Sequence, residues 1–422
     1  MKDLTKQSSC LTTKRNAILM LGVGGVSVGQ LAKVFLEQGF KVYGYDQVEN
    51  QMVKDLVKLG LVYSKKFCKS FLDVDFCVKT AAVKYDNVFV KALVKAKIPM
   101  YDRAYVLGQM LKHFKTVIAV AGTHGKSTTS ALIYEILAAA GKKVSCHIGA
   151  EITVPRFKLE DEYVVVEACE YNKSFLKIYP NVAVVTNVEP EHLDSYGNFK
   201  NLKTAFLTFI KRGNVRFAFK GDSTKYLQNV KNIQMVQPAK IEAKLKGEYN
   251  QNNIALAVAV CCALGVEKSF AENVAKNFGG VPRRYEQLGE VKNTKIFIDY
   301  AHHPTEIKAF LSAFNAEFDN ALIVFQPHTY SRTKMFLEHF VQILSDQKHV
   351  CIFKEYPARE KRSAGVDAKT LYRLIKVKNP NCKYFSTGKK INQYLGKFSA
   401  IAFVGAGDIC QVAKRLLAQS KK

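Results

Sequence analysis

The chain has 422 residues, 48% of them hydrophobic and 23% charged, with a formal net charge of +27. That length suits two or three domains with ample core. The ten cysteines are scattered with none in C-x-x-C spacing, which excludes a zinc framework and points to a reduced, cytoplasmic compartment. The positive excess fits nucleic acid, an acidic membrane surface or polyanionic small substrates. It also fits a lysine-rich composition with no such partner, and no Arg/Lys-aromatic pattern of a nucleic-acid module is present.

The N-terminal stretch carries charges but no signal-peptide core, and Ala17 to Val26 is too short and glycine-rich to span a bilayer. No membrane insertion is expected. An apolar run from Asn16 leads into Gly22-Val-Gly24-Gly25-Val-Ser27-Val-Gly29, then a helical run to Leu36 and a strand Lys41–Asp46. This is a βαβ start with a glycine-rich turn and an acid after its second strand, as in dinucleotide-binding folds. Ser27 takes the place of the third glycine of G-x-G-x-x-G, so the turn speaks for a phosphate-bearing ligand more than for NAD; a purely structural tight turn is the alternative. Strand-like segments at 74–80 and 97–100 flank a helical run Asn87 to Lys95. Residues up to about 102 therefore form one small α/β domain. A helical run Arg103 to His113 follows.

Thr116-Val-Ile-Ala-Val-Ala is a buried-strand pattern, followed by Gly122-Thr123-His124-Gly125-Lys126-Ser127-Thr128 and a helix ending at Gly141. Strand, glycine turn and helix is the layout of a phosphate-binding loop, in which backbone N–H groups and a helix N-terminus cradle an anion. In that layout Lys126 reaches the terminal phosphates and Ser127 ligates Mg²⁺. The match is partial, because Val120 stands at the first glycine position.

Strands at 143–148, 162–167 and 182–185 continue the alternation. The second runs into Cys169-Glu170-Tyr171, the third into Thr186-Asn187-Val-Glu189-Pro-Glu191-His192. Ligands of parallel sheets bind at the C-terminal ends of strands. Glu170 and His192 are thus candidates to face the phosphates as Mg²⁺ ligands or their neighbours, although each alone reads as an ordinary loop residue. Residues 213–246 read as less regular. Asn250 and Asn253 lie three apart near the start of a helix Ile254 to Leu264, where they cap it or hydrogen-bond a nucleobase.

Phe278 to Glu286 reads as a junction. Four apolar strands follow, each ending in polar residues with Gly or Pro: Asp299-Tyr300-Ala-His302-His303-Pro304-Thr305, Gln326-Pro-His328-Thr-Tyr330-Ser-Arg332, Glu355-Tyr-Pro-Ala-Arg359, and Gly405-Ala-Gly-Asp408. Thr305 or the turn before it is expected to cap the next helix. Five of the nine histidines, at 124, 192, 302, 303 and 328, fall in these strand-end clusters, which argues for a site more than any one of them does. The expected architecture is α/β with three domains: a Rossmann-like domain at 1–102, a central phosphate-loop domain at 103–282 and a C-terminal Rossmann-like α/β domain at 283–422.

These blocks, with Glu167-Ala-Cys-Glu-Tyr-Asn-Lys-Ser-Phe175 and Arg283-Arg284-Tyr-Glu286, stand in an order that resembles the Mur ligases of peptidoglycan synthesis over nearly the whole chain. The Gly-Gly turn and the Asp-Tyr-x-His-His-Pro and Gln-Pro-His-x-Tyr-Ser-Arg-Thr blocks resemble the alanine-adding branch. Departures are Ser27 for the usual glycine, Glu191 for Asp, Tyr249 for His and Ile254 for Ala. The resemblance implies a cytoplasmic enzyme of cell-wall synthesis, and so of cell shape and division. It would join L-alanine to the lactyl carboxylate of UDP-N-acetylmuramate through an acyl phosphate, with ATP and Mg²⁺, as a monomer or homodimer.

The resemblance also implies roles. Gly122 to Thr128, Asn250, Asn253, Arg284 and Asp299 would bind ATP. Gly22, Gly24, Gly25, Ser27, Thr80, Tyr300, His328, Tyr330 and Arg332 would bind substrate. Ser127, Glu170 and His192 would hold the metal. Lys126, His302 and Arg332 would act in catalysis, with His302 as the candidate proton acceptor because imidazole titrates in the right range. ATP contacts in both later domains imply closure of the third domain. The alternatives are a ligase that recycles murein tripeptide or another Mur ligase, an NAD-dependent oxidoreductase using the Gly22 turn, and a nucleic-acid-stimulated ATPase.

Overall fold

The computed structural model describes residues 15–80, 83, 86–149, 157–238, 241–245, 247–358, 360 and 365–419. Cys10 and Arg359 lie outside them. No disulfide joins the described cysteines, and Cys77, Cys146 and Cys351 are buried in strands as their apolar neighbours predict. No helix of the described residues is long and apolar enough to cross a membrane.

The chain divides into two compact units, one comprising residues up to Ala243 and Asn250–Phe278, the other Lys244–Tyr249 and Gly279 onward. The first unit holds two parallel sheets. In the first, β1 (Ala17–Leu21), β2 (Lys41–Tyr45), β3 (Val62–Tyr63), β4 (Phe76–Lys79) and β5 (Met100–Asp102) run in the order β3-β2-β1-β4-β5. Helix α1 (Val26–Glu37) crosses from β1 to β2. The chain order reverses between β1 and β4, which opens a crevice at the carboxyl ends of those strands. The Gly22 turn and Thr80 both lie there. A β-carbon on Gly22 would come within 3.1 Å of the Thr80 methyl.

Helix α2 (Arg103–Met110) leads into the second sheet. Its strands β6 (Thr116–Ala121), β7 (Val144–His147), β8 (Tyr163–Glu167), β9 (Val182–Val185), β10 (Val215–Phe219) and β11 (Ile233–Val236) take the order β11-β10-β9-β6-β8-β7. Helix α3 (Lys126–Ala139) follows β6 and α4 (Glu248–Ala263) closes the region. Val106, Leu107 and Met110 of α2 join Ile18 and Met20 of the first sheet and Val117 and Ala119 of the second in one continuous apolar cluster. Burial of that shared surface holds the two sheets of this unit together.

The second unit carries β12 (Glu286–Val291), β13 (Thr294–Asp299), β14 (Ala321–Phe325), β15 (Val350–Phe353), β16 (Lys383–Phe385) and β17 (Ala400–Val404) in the order β12-β13-β17-β14-β15-β16. All pairs are parallel except β12 with β13. Side chains alternate between two cores: Phe297, Ile323, Phe325, Ala402 and Val404 on one face, Ile296, Ile298, Leu322, Val324 and Phe403 on the other. Both faces are covered, so the strands read as unbroken apolar runs rather than alternating ones. Helices α5 (Pro304–Glu317) and α6 (Tyr330–Met335) follow β13 and β14.

Several local expectations change. The region 213–246 holds β10 and β11, whose sequences Val-Arg-Phe-Ala-Phe and Ile-Gln-Met-Val are too short and mixed to stand out. The third sheet has six strands rather than four. Helix α4 begins at Glu248, so Asn250 and Asn253 lie inside its first turns and neither caps it. Of the two expected caps of α5 it is the turn before Thr305 that serves, through His303, whose Nδ1 accepts from Thr305 N at 3.4 Å while the Glu306 carboxylate accepts from His303 N at 3.4 Å.

Candidate active site

The turn after β1 is fixed from outside. Asp46 accepts the Gly24 N–H at 2.9 Å and the Asn50 side chain donates to Gly24 O at 2.8 Å. The acid expected after the second strand therefore shapes the turn. Thr80 Oγ1 is buried at this turn with no hydrogen-bond partner among the described residues, and such a group calls for a ligand or water. Ser27 lies in the first turn of α1, 2.7 Å from His147 Nε2, and accepts from Arg103 at 3.0 Å.

The loop after β6 is held by the end of β9. Thr123 N donates to Asn187 O and His124 N to the Asn187 side chain, while Asn187 Nδ2 and Thr186 Oγ1 donate to His124 O. Glu189 N donates to Thr123 Oγ1 at 2.8 Å. Gly122 has φ 146° and Gly125 φ 80°, regions that favour glycine. A β-carbon on Gly122 would lie 1.9 Å from Thr186 Oγ1, and one on Gly125 2.3 Å from Asn253 Oδ1. Asn253 accepts from Thr129 at 3.2 Å and donates to Asn250 at 3.3 Å. Both asparagines are buried beneath the loop, where they support it.

Lys126 folds over this loop. Its ammonium donates to Gly122 O at 2.5 Å and Thr123 O at 3.0 Å and lies 3.1 Å from both oxygens of Glu170. Burial opposes the charge on Lys126, but Glu170, with Cys169, Glu167 and Glu191, together outweighs it and the pKa is raised. Burial also raises the pKa of Glu170, which is 2% exposed, against the pull of Lys126 and His192. His192 Nε2 lies 3.6 Å from Glu170, and Glu170, Glu191 and His192 place ligand atoms close enough to hold one metal ion. Asn172, Lys173 and His192 have positive φ, so three non-glycine residues around Glu170 adopt left-handed backbone. Such strain concentrates where a site is held in a set shape.

Ser127 Oγ donates to Glu167 Oε2 at 2.9 Å, and the same oxygen accepts Gly149 N at 2.9 Å. Donating its proton leaves the Ser127 oxygen lone pairs available to a cation. Glu167 is a site residue the sequence reading left as the last residue of a strand; its place opposite Ser127 comes only from the pairing of β6 with β8. Glu191, noted as a departure from the family pattern, joins the metal-type cluster.

In the second unit the strand ends converge. Asp299, 5% exposed, accepts Tyr285 N at 2.7 Å and Ala301 N at 2.6 Å, and burial raises its pKa to about 6. The guanidinium groups of Arg283 and Arg284 lie 4.6 and 5.3 Å from the Tyr300 ring centre. Arg284 pairs with Glu306 at 3.4 Å. His302 Nδ1 is 2.9 Å from Tyr300 O and 3.3 Å from Glu306, and since both only accept, Nδ1 carries a proton; in the neutral ring Nε2 then holds the lone pair. The His302 and His328 rings stand 5.7 Å apart. Burial first, then Arg332, lowers the His328 pKa to about 4, so it is neutral at neutral pH. Tyr330 donates to Glu355 at 3.2 Å. The sequence-predicted residues thus fall into two sets: Gly22, Gly24, Gly25, Ser27, Thr80, Gly122 to Thr128, Glu170 and His192 on the strand-end side of the first unit, with Asn250 and Asn253 reaching the loop from α4, and Arg284, Asp299, Tyr300, His302, His328, Tyr330 and Arg332 in the second.

Residues 17–115 match the family description "Mur ligase family, catalytic domain", 120–232 "Mur ligase middle domain" and 283–409 "Mur ligase, glutamate ligase domain". The chain is 33% identical to the UDP-N-acetylmuramate–L-alanine ligase of Caldanaerobacter subterraneus subsp. tengcongensis, over 97% of this chain and 99% of that one. It is 31% identical to the ligase of the same name from Agathobacter rectalis, over 95% and 97%. Its fold is that of the crystal structure of UDP-N-acetylmuramate-alanine ligase from Thermotoga maritima, with TM-score 0.81, 24% identity and coverage of 97% of this chain and 100% of that one. A murein peptide ligase from Psychrobacter arcticus has TM-score 0.69 at 21% identity, over 95% and 98%.

Proposed function

The chain belongs to the Mur ligase family, and from that premise we propose that it joins L-alanine to the lactyl carboxylate of UDP-N-acetylmuramate in an ATP-dependent step of peptidoglycan synthesis. The observation that carries this reading is the near full-length match to ligases of that name in a chain whose phosphate loop sets Lys126 against an acid–imidazole cluster. A carboxylate does not acylate an amine at neutral pH until it is activated. The lactyl carboxylate oxygen attacks the γ-phosphorus of ATP, ADP leaves, and an acyl phosphate forms. The alanine nitrogen, having lost a proton, attacks the acyl carbon, and phosphate departs as the amide forms.

Phosphoryl transfer between anions requires fixed positive charge and in-line placement. Lys126 supplies such a charge, and its salt bridge to Glu170 holds it charged and oriented until phosphate displaces it. The hard oxygens of Glu170 and Glu191, the His192 imidazole and the Ser127 hydroxyl fit a Mg²⁺ ion. Bound there, the ion would neutralise charge on the phosphates. Gly22 to Ser27, with Thr80, are assigned to the sugar nucleotide. Arg284 and Asp299 are assigned to the nucleotide, and Tyr300, His328, Tyr330 and Arg332 to the substrates. His302, whose neutral ring offers Nε2 as a base, is assigned as acceptor of the alanine proton. Asn250 and Asn253 act on ATP through the loop they support. The domain limits 1–102, 103–282 and 283–422 belong to this proposal.

Transfer of label from radioactive L-alanine into the sugar nucleotide, requiring ATP and a divalent cation, tests the reading. Label that stays in free alanine contradicts it.

A further inference from the structure

The glycine turn that the function assigns to the sugar nucleotide is tied to the second sheet by a half-buried polar junction. Ser27 departs from the usual glycine of the family pattern, and its side chain is engaged on two sides. Arg103, the first residue of α2, donates to Ser27 Oγ at 3.0 Å. Ser27 Oγ lies 2.7 Å from Nε2 of His147, the last residue of β7. His147 is 2% exposed, and burial, with Arg103 beside it, lowers its pKa to about 3. The ring is therefore neutral. Ser27 Oγ thus joins the guanidinium to the imidazole, the direction of its bond with Nε2 following the ring tautomer. Nδ1 has no partner among the described residues. One turn further along α1, Gln30 donates to Ile148 O at 3.2 Å. Two hydrogen bonds thus dock the start of α1 on the end of β7.

Arg103 is the cation of this junction. Burial lowers its pKa, while Cys169, Glu167 and Asp102 pull the other way, so the guanidinium lies within electrostatic reach of the acid that orients Ser127. It also touches the helix turn whose free N–H groups face the crevice between β1 and β4. The buried, unpartnered Thr80 hydroxyl lies at that crevice. A planar guanidinium at such a place suits a phosphate or carboxylate better than an ammonium would.

We propose that Arg103, anchored by Ser27 and His147, is a positioning residue for the diphosphate of the sugar nucleotide, fixing the glycine turn to the strand ends that carry the phosphate-transfer residues. This rests on the functional reading above. Arg103 acts by setting the turn and adding charge at the α1 N-terminus. The chemistry itself remains with Lys126 and the groups around it.

The test is equilibrium binding of UDP-N-acetylmuramate, UDP and ATP to the full chain and to Arg103→Met, Arg103→Lys and Ser27→Gly, with thermal unfolding of each. A charge-assisted hydrogen bond is worth about 1.5–3 kcal/mol, or roughly ten- to a hundredfold in affinity. Arg103→Met is expected to weaken UDP and the sugar nucleotide by about that factor and ATP by less than about twofold. Arg103→Lys should recover part of the loss. Ser27→Gly, which frees Arg103, should give a smaller loss of the same selectivity. Unchanged UDP affinity in Arg103→Met overturns the proposal. So does an equal loss for ATP and UDP accompanied by lower thermal stability that lysine does not restore, since that is a folding role. A wild-type chain that binds neither UDP nor UDP-N-acetylmuramate overturns the functional reading as well, whereas wild-type binding with an unaffected variant overturns the positioning role alone.

Discussion

The Lys126 ammonium stands 3.1 Å from each carboxylate oxygen of Glu170, which is buried while the lysine side chain is 13% exposed. Each therefore depends on the other for its charge. Lys126→Ala should leave Glu170 uncompensated, at a cost of about 3–5 kcal/mol, and should lower ATP turnover by about 10²–10³-fold, the effect of losing one electrostatic donor. Adding Glu170→Gln to Lys126→Ala should restore stability without restoring turnover. Denaturant melts and phosphate release measured on the same three proteins check both halves. Stability that the second change fails to restore would show that the pair does not act as described.

Glu167 holds Ser127 and Gly149 with one oxygen. Glu167→Gln keeps the shape but can present an amide N–H to the serine, which turns the hydroxyl around. The Mg²⁺ concentration for half-maximal rate should rise by about 10–100-fold, as for other outer partners of metal ligands. A magnesium titration of the turnover rate measures it. An unchanged requirement would remove Glu167 from the site.

Gly122→Ala places a β-carbon 1.9 Å from Thr186 Oγ1 at a backbone angle that alanine resists. Left-handed backbone alone costs about 1–2 kcal/mol for an L-residue, and the clash must also move the β9 end that shapes the loop. ATP affinity should fall by more than about tenfold while UDP affinity holds. Calorimetric titration of the two nucleotides separates these effects, and an equal loss of both would point to general unfolding.

Asp299 gives a pH signature. Burial raises its carboxyl pKa from 3.8 to about 6. A carboxyl raised on folding contributes stability that is fully present below the unfolded value and lost as pH rises through the folded one. The difference corresponds to at most about 3 kcal/mol. Between pH 4 and 6 the wild-type chain should lose stability relative to Asp299→Asn, and above pH 6 the difference should level off. Denaturant melts across that window test it. Parallel curves would contradict the assignment.

Much of this architecture was legible because parallel strands buried on both faces read as apolar runs, and their polar ends mark the edge where ligands bind. Ile118 to Ala121 before Gly122, and Ile296 to Asp299 before Tyr300, announce both strand and site. Residues whose roles depend on distant pairing were not legible. Glu167 meets Ser127 across 40 residues, Asn253 supports Gly125 across 128, and Ser27 meets His147 across 120. No local pattern encodes such contacts. The strands at 215–219 and 233–236 are not legible because Arg216 and Gln234 interrupt their apolar runs, and strand formation there depends on pairing, of the first with β9 and of the second with β10.

The most direct test of the central claim is phosphate release from ATP with UDP-N-acetylmuramate present, adding L-alanine, glycine, L-serine, D-glutamate or murein tripeptide in turn. Release that requires both the sugar nucleotide and L-alanine, and falls by about 10²–10³-fold in Lys126→Ala, is the predicted result. Release with tripeptide alone would transfer the chain to the recycling branch of the family, and release indifferent to the sugar nucleotide would contradict the account.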